Sequence, residues 1–224
     1  VREMMLYTVQ NIGYFDESRN QKIMDYEMEM DQRQDALTAY LTKLSAKPLS
    51  EEDSRLIGLY GKCVVDFERI SDYLKGIGYG LKRMNSSEES FSDEAMDELK
   101  TILMATDEIV ERTVSCFKND EIETAVKVDP LADVIRKLRD EIRMNHNMRM
   151  ASGRCTVEMG MLLTDILNSF GRIAGHCSNI AEEEIAMASD RYALHQYARF
   201  MKERNENYKD LTSMFAVKYS LKKA

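Results

Sequence analysis

Glu68 and Asp72, in the run Glu68-Arg69-Ile70-Ser71-Asp72, stand four residues apart, and so do Glu27 and Asp31. On an α-helix that spacing makes the two carboxylates of a pair neighbours on one face. Like charges held this close repel unless something neutralises them. If the helices that carry the pairs pack antiparallel, the pairs meet and offer four anionic oxygen groups to a divalent cation. Acidic pairs at this spacing are also common on solvated faces, and spacing alone favours that plainer reading.

Other chemistries lack their residues. A ferritin-like di-iron oxidase needs Glu-x-x-His motifs on its bundle helices, and none of His146, His176 and His195 has a glutamate three positions before it. The chain contains no Gly-x-Ser-x-Gly elbow, no glycine-rich phosphate loop and no His-Glu-x-x-His motif. A histidine satisfied at a helix interface is the expected role for His146 and His176. No nucleophile, base and orienting group assemble from these motifs, so the chain reads as a non-enzyme, with a carboxylate-bridged metalloenzyme as the rival class.

The elements that would position the acidic pairs are helices. Apolar residues recur at steps of three and four through Leu56, Tyr60, Cys63, Phe67, Ile70, Leu74, Ile77 and Leu81. Ser50, with Asp53 three residues on, supplies an N-terminal cap, which predicts a helix over 51–84. The same rhythm returns at Met159, Leu163, Ile166, Phe170, Ile173, Cys177 and Ile180, predicting a helix over 155–187. Four further seams run through Ile23 to Leu44, Leu99 to Phe117, Leu131 to Ile142 and Leu194 to Phe215. Loops fall at 46–50, 85–92, 118–120 and 151–153, where Gly, Ser, Asn and Pro collect. Phe67-Glu68-Arg69-Ile70 is answered by Phe170-Gly171-Arg172-Ile173, an internal repeat. The expected fold is therefore all-α, with six long antiparallel helices in two tandem three-helix bundles, 1–118 and 119–224.

Composition narrows the function. With 31 basic against 39 acidic residues the net charge is −8, and the bases are interspersed with acids, which disfavours a nucleic-acid partner. Lys218, Lys222 and Lys223 read as a solvated terminus. The four cysteines, Cys63, Cys116, Cys155 and Cys177, show no Cys-x-x-Cys pairing and suit reduced packing positions. No run approaches the roughly 20 apolar residues that span a bilayer. The chain enters helical pattern directly at Val1, which reads as a piece of something larger.

These features resemble the PhoU family, whose repeats are three-helix bundles carrying Glu/Asp-x-x-x-Asp motifs that bind metal clusters in several members. Glu68-Arg69-Ile70-Ser71-Asp72 is similar to the family's Glu-Arg-Ile-Gly-Asp signature. Arg172-Ile173-Ala174-Gly175-His176, with Asn179-Ile180-Ala181-Glu182, is similar to its second copy. A narrower resemblance is to PhoU-like cytoplasmic C-terminal domains of bacterial sodium/phosphate cotransporters. It is carried by Tyr40-Leu41-x-x-Leu44, Ile142-Arg143-x-x-His146-x-x-Arg149, Gly153-x-Cys155 and Asp165-Ile166-Leu167-Asn168. The resemblance implies a regulatory domain at the cytoplasmic face of the inner membrane, involved in phosphate homeostasis. Its implied partners are its own transmembrane transporter domain and a cytoplasmic signalling protein, and self-association is left open. A stand-alone PhoU-like phosphate-signalling adaptor is the alternative.

The second half departs from the family pattern. Gly171 and Gly175 stand where the signature has Glu and Asp, and Ala132 and Arg136 occupy the paired positions. Metal (Fe, Zn, Mn or Mg) is therefore expected only in the first bundle, through Glu27, Asp31, Glu68 and Asp72. Asp129 and Asp133 are an acidic pair about a turn away, next to Pro130, which is expected to open its helix.

Overall fold

The computed structural model of the chain describes residues 1–87, 90–191 and 194–221, without the side chains of 189–191 and 194–203. Each of the six seams forms a helix: α2 (Glu17–Ser45), α3 (Glu51–Asn85), α4 (Asp93–Asn119), α6 (Val128–Ala151), α7 (Val157–Arg191) and α8 (Leu194–Lys218). Two further helices have no separate seam in the sequence pattern. These are α1 (Arg2–Gly13) and the single turn α5 (Ile122–Ala125). The architecture is all-α, with no strand among the described residues.

Local chemistry sets most of the boundaries. Ser50 accepts a hydrogen bond from the Asp53 backbone N–H at 3.0 Å, and its hydroxyl donates to Asp53 Oδ2 at 2.7 Å. A cap of this kind stabilises a helix start by about 1 kcal/mol. Ser92 caps α4 in the same way through Ala95 N–H. Asp16 caps α2 by accepting from Arg19 N–H at 2.9 Å, and this breaks the chain away from α1 after Gly13. Asp120 ends α4 in the left-handed region, φ 56°, with its N–H returning to Cys116 O. The start of α6 falls at Val128, so Pro130 sits inside its first turn, where a missing N–H costs nothing.

The two longest helices, α3 and α7, form the antiparallel centre. Arg55 reaches the Ala186 carbonyl, Lys62 pairs with Glu183 at 2.9 Å, Asp66 with His176 at 2.6 Å, and Arg83 with Glu158 at 3.7 Å. Helix α2 lies antiparallel on α3, and α6 packs on α7. Close approach of α2 and α3 is possible because Gly78 has no Cβ: one built there would meet Asn20 Oδ1 and Met24 Cε at 2.9 Å. Leu74, Leu99, Leu131, Ile142, Phe170 and Phe215 belong to one buried apolar cluster that runs across residues 118 and 119. Helices α4 and α8 are tied across that junction as well. Glu108 accepts from Lys218 Nζ at 2.8 Å and from the Tyr219 hydroxyl. Burial pushes its carboxyl up, but those bonds and Arg112 outweigh burial and hold it below its usual range. Lys218 is thus paired rather than simply solvated, whereas Lys222 and Lys223 lie outside the described residues.

Cys63, Cys116 and Cys177 are buried, and Cys155 is half-buried. Burial pushes the three core thiols up to about 12, which leaves roughly one in ten thousand ionised at pH 8. A native thiol titration at that pH should therefore read one fast-reacting cysteine per chain, Cys155, and four after unfolding in guanidinium. Rapid labelling of two or more in the folded protein would contradict this packing.

Candidate metal centre

Helices α2 and α3 deliver the first acidic cluster. Their register is fixed by Lys82 on Glu17 at 2.5 Å, by Asn20 and Met24 against Gly78, and by Lys75 on Glu27 at 2.6 Å. That register carries Glu27 and Asp31 on to face Asp72. Glu27 is buried, Asp72 half-buried and Asp31 exposed, and one carboxylate oxygen from each lies within 4.8 Å of the other two. Glu68, one turn before Asp72, is buried, and its Oε2 has no hydrogen-bond partner. The nearest cation to that oxygen is Arg69, with Nε 3.5 Å away, a distance that gives attraction without a hydrogen bond.

Electrostatics here are unbalanced. Two cations serve the four carboxylates: Lys75 on Glu27, and Arg69, whose Nη1 donates to Asp72 Oδ2 at 3.2 Å. Burial, followed by the Asp72 carboxylate, pushes the Glu68 carboxyl above its usual range; Arg69 opposes this and Asp31 adds to it. The hydrogen bond to Glu27 holds the Lys75 ammonium above its usual range. Glu27, Asp31 and Asp72 converge, while Glu68, with its donorless Oε2, is not among the carboxylates whose oxygens meet. The all-oxygen anionic donor set fits Mg, Mn, Fe or Zn, and Asp31 leaves the cluster open to solvent.

The second half presents no such cluster among the described residues. Ala132 is fully buried in the core, and Arg139 from α6 lies over Gly171, where an added Cβ would come within 2.9 Å of Nη1. Asp129 and Asp133 are committed elsewhere. Arg136 Nη2 is 2.5 Å from Asp133 and 3.9 Å from Asp129, and the Tyr208 hydroxyl donates to both, at 2.7 and 3.1 Å. Ser178 also donates to Asp129. Burial pushes the Asp133 carboxyl up, but its bonds to Arg136 and Tyr208 win and hold it below its usual range. This pair fastens α6 to α8.

Sequence reasoning missed two groups. Lys75 sits three residues after Asp72, a spacing that could have flagged it as a counter-charge. The Asp66–His176 pair, with Asn179 Nδ2 also donating to Asp66 at 3.2 Å, joins residues 110 apart and left no local signal. His146 and Arg149 are buried, as the interface reading of His146 expects; Arg149 donates to Glu98 at 2.6 Å, whereas His146 Nδ1 has no partner.

Known proteins of similar sequence and shape agree with this architecture. The PhoU domain profile matches residues 99–183, which run from α4 into α7. The phosphate-specific transport system accessory protein PhoU homolog 1 of Thermotoga maritima is 24% identical over 187 residues, covering 83% of this chain and 79% of that protein. PhoU from Pseudomonas aeruginosa superposes with a TM-score of 0.78 at 18% identity, over 84% of this chain and 90% of its own. The phosphate transport system regulatory protein PhoU of Streptococcus pneumoniae gives 0.73 at 16% identity, over 84% and 88%. Residues 99–183 thus match the PhoU domain, and the chain as a whole is similar in sequence to a PhoU homologue and shares the all-helical fold of PhoU proteins.

Proposed function

We propose that the chain is a non-catalytic regulator of phosphate transport, a PhoU-type adaptor that binds other proteins rather than turning over a substrate. The observation that carries this reading is the alignment with a phosphate transport accessory protein over 83% of the chain. In this reading a divalent ion held by Glu27, Asp31, Glu68 and Asp72 neutralises the cluster and pins α2 to α3, giving the adaptor a rigid face. The second reading makes the chain the soluble regulatory part of a sodium/phosphate cotransporter, and the Ile142 to Arg149 and Asp165 to Asn168 motifs favour it. Among the described residues no helix is long and apolar enough to cross a membrane. Contact with the cytoplasmic face of the inner membrane would then come through a transporter partner or a covalently attached segment.

Deleting the coding segment from the host tests the proposal. Radiolabelled phosphate uptake and its response to external phosphate should both change, and the intact chain supplied in trans should restore them. Unaltered uptake at high and low phosphate would sink it. If the segment is part of a longer transporter, the native protein will fractionate with the membrane as one polypeptide, which separates the two readings.

A further inference from the structure

The second half has kept the place of the first acidic cluster and reversed its charge. Arg69 and Arg172 occupy matching positions in the Phe-x-Arg-Ile repeat. Arg69 is engaged by Asp72 and Glu68. Glycines replace both acids in the repeat, and among the described residues Arg172 has no hydrogen-bond or ion-pair partner. What opens beside it is a pocket of about 500 Å³ between α6 and α7, floored by Gly171 and Gly175 and walled by Arg139, Asn168, Arg172, His176 and Asn179. No carboxylate lines it.

Two of the walls are positioned from behind. Asp140 holds Arg139 at 3.0 Å, leaving Nη1 over Gly171. His176 stacks on Tyr73, and its Nδ1 lies 2.6 Å from Asp66 Oδ1. A carboxylate can only accept, so Nδ1 carries the hydrogen, and in the neutral ring Nε2 is then an acceptor. The pocket thus combines guanidinium forks and side-chain amides, which suit anionic oxygens, with a histidine whose Nε2, in the neutral ring, accepts from a hydroxyl.

We propose that this pocket binds inorganic hydrogen phosphate, its anionic oxygens on Arg139, Arg172 and the asparagine amides and its P–OH on His176 Nε2. Sulfate has the same shape but no hydroxyl at neutral pH, and a phosphate monoester dianion lacks one too, so both would leave the histidine acceptor unmet. The inference stands on the pocket alone and holds whatever the adaptor's partners are.

Calorimetric titration of the intact chain with potassium phosphate, in chloride buffer at pH 7 containing chelator, should show one saturable site. Sulfate and methyl phosphate should bind at least about 10-fold more weakly, the loss expected for one hydrogen bond left unmade. Arg172→Gln should weaken phosphate at least about 10-fold by removing a charged donor. Gly175→Asp, at a position with nothing within 4 Å of an added Cβ, should abolish binding while leaving the helical circular dichroism intact. No saturable binding up to tens of millimolar, equal affinity for sulfate or the monoester, or phosphate affinity unchanged in both variants would each overturn the proposal.

Discussion

Gently purified protein should carry close to one divalent ion per chain, and the double variant Asp31→Ala with Asp72→Ala should carry almost none. Metal analysis by mass spectrometry reads both. The two substitutions remove two of the three carboxylates whose oxygens lie within 4.8 Å of one another, and leave Glu27 already engaged by Lys75. Hard cations give up bound water only for ligands that return negative charge, so losing two ligands should cost more than the ~10- to 100-fold typical of an outer-sphere partner. The companion variant, Asp129→Ala with Asp133→Ala, should keep its metal, because those carboxylates are held by Arg136, Tyr208 and Ser178. Its cost should fall on stability, through loss of the tie between α6 and α8. Metal lost only from the companion would place the site in the wrong half. Metal absent from the parent protein would return the cluster to the solvated-face reading.

Phe170→Ala should be the most damaging single core substitution tested by urea unfolding, at ~3–5 kcal/mol. Phe170 is fully buried on α7, the helix that packs against α3, α4 and α6. Truncation removes the aromatic ring from the buried cluster and leaves a cavity that three neighbouring helices would have to fill by moving. Domains of this size are stable by only about 5–15 kcal/mol, so a large share of the total would be lost. Met161, on the exposed side of the same helix at 62% accessibility, provides the contrast: its alanine variant should shift stability by less than ~0.5 kcal/mol. A Phe170→Ala shift below ~1 kcal/mol would mean that α7 is not the helix around which the others pack.

What the sequence determined by itself is local. Serine caps at Ser50 and Ser92 satisfy the first N–H groups of α3 and α4, and runs of apolar residues at three and four fix which face of each helix turns inward. These signals lie within a few residues of one another, so they are legible without neighbours, and all six seams fall on helices. Short-range spacing likewise put Glu68 beside Asp72, and short loops implied the antiparallel partner that brings Glu27 and Asp31 to Asp72, with Glu68 outside that converging set. Legibility failed where the signal was weak or distant. Helix α1 was not separated because its apolar pattern continues toward α2, and only the Asp16 cap marks the break. Asp66 with His176, Glu98 with Arg149 and Glu108 with Tyr219 are joined across 110, 51 and 111 residues. Their meeting depends on the longitudinal register of packed helices, which is decided by how side-chain ridges interlock over the whole interface and leaves no trace in local spacing. The same register left Arg172 without an acid and opened the pocket above Gly175, a feature that only the tertiary structure could decide.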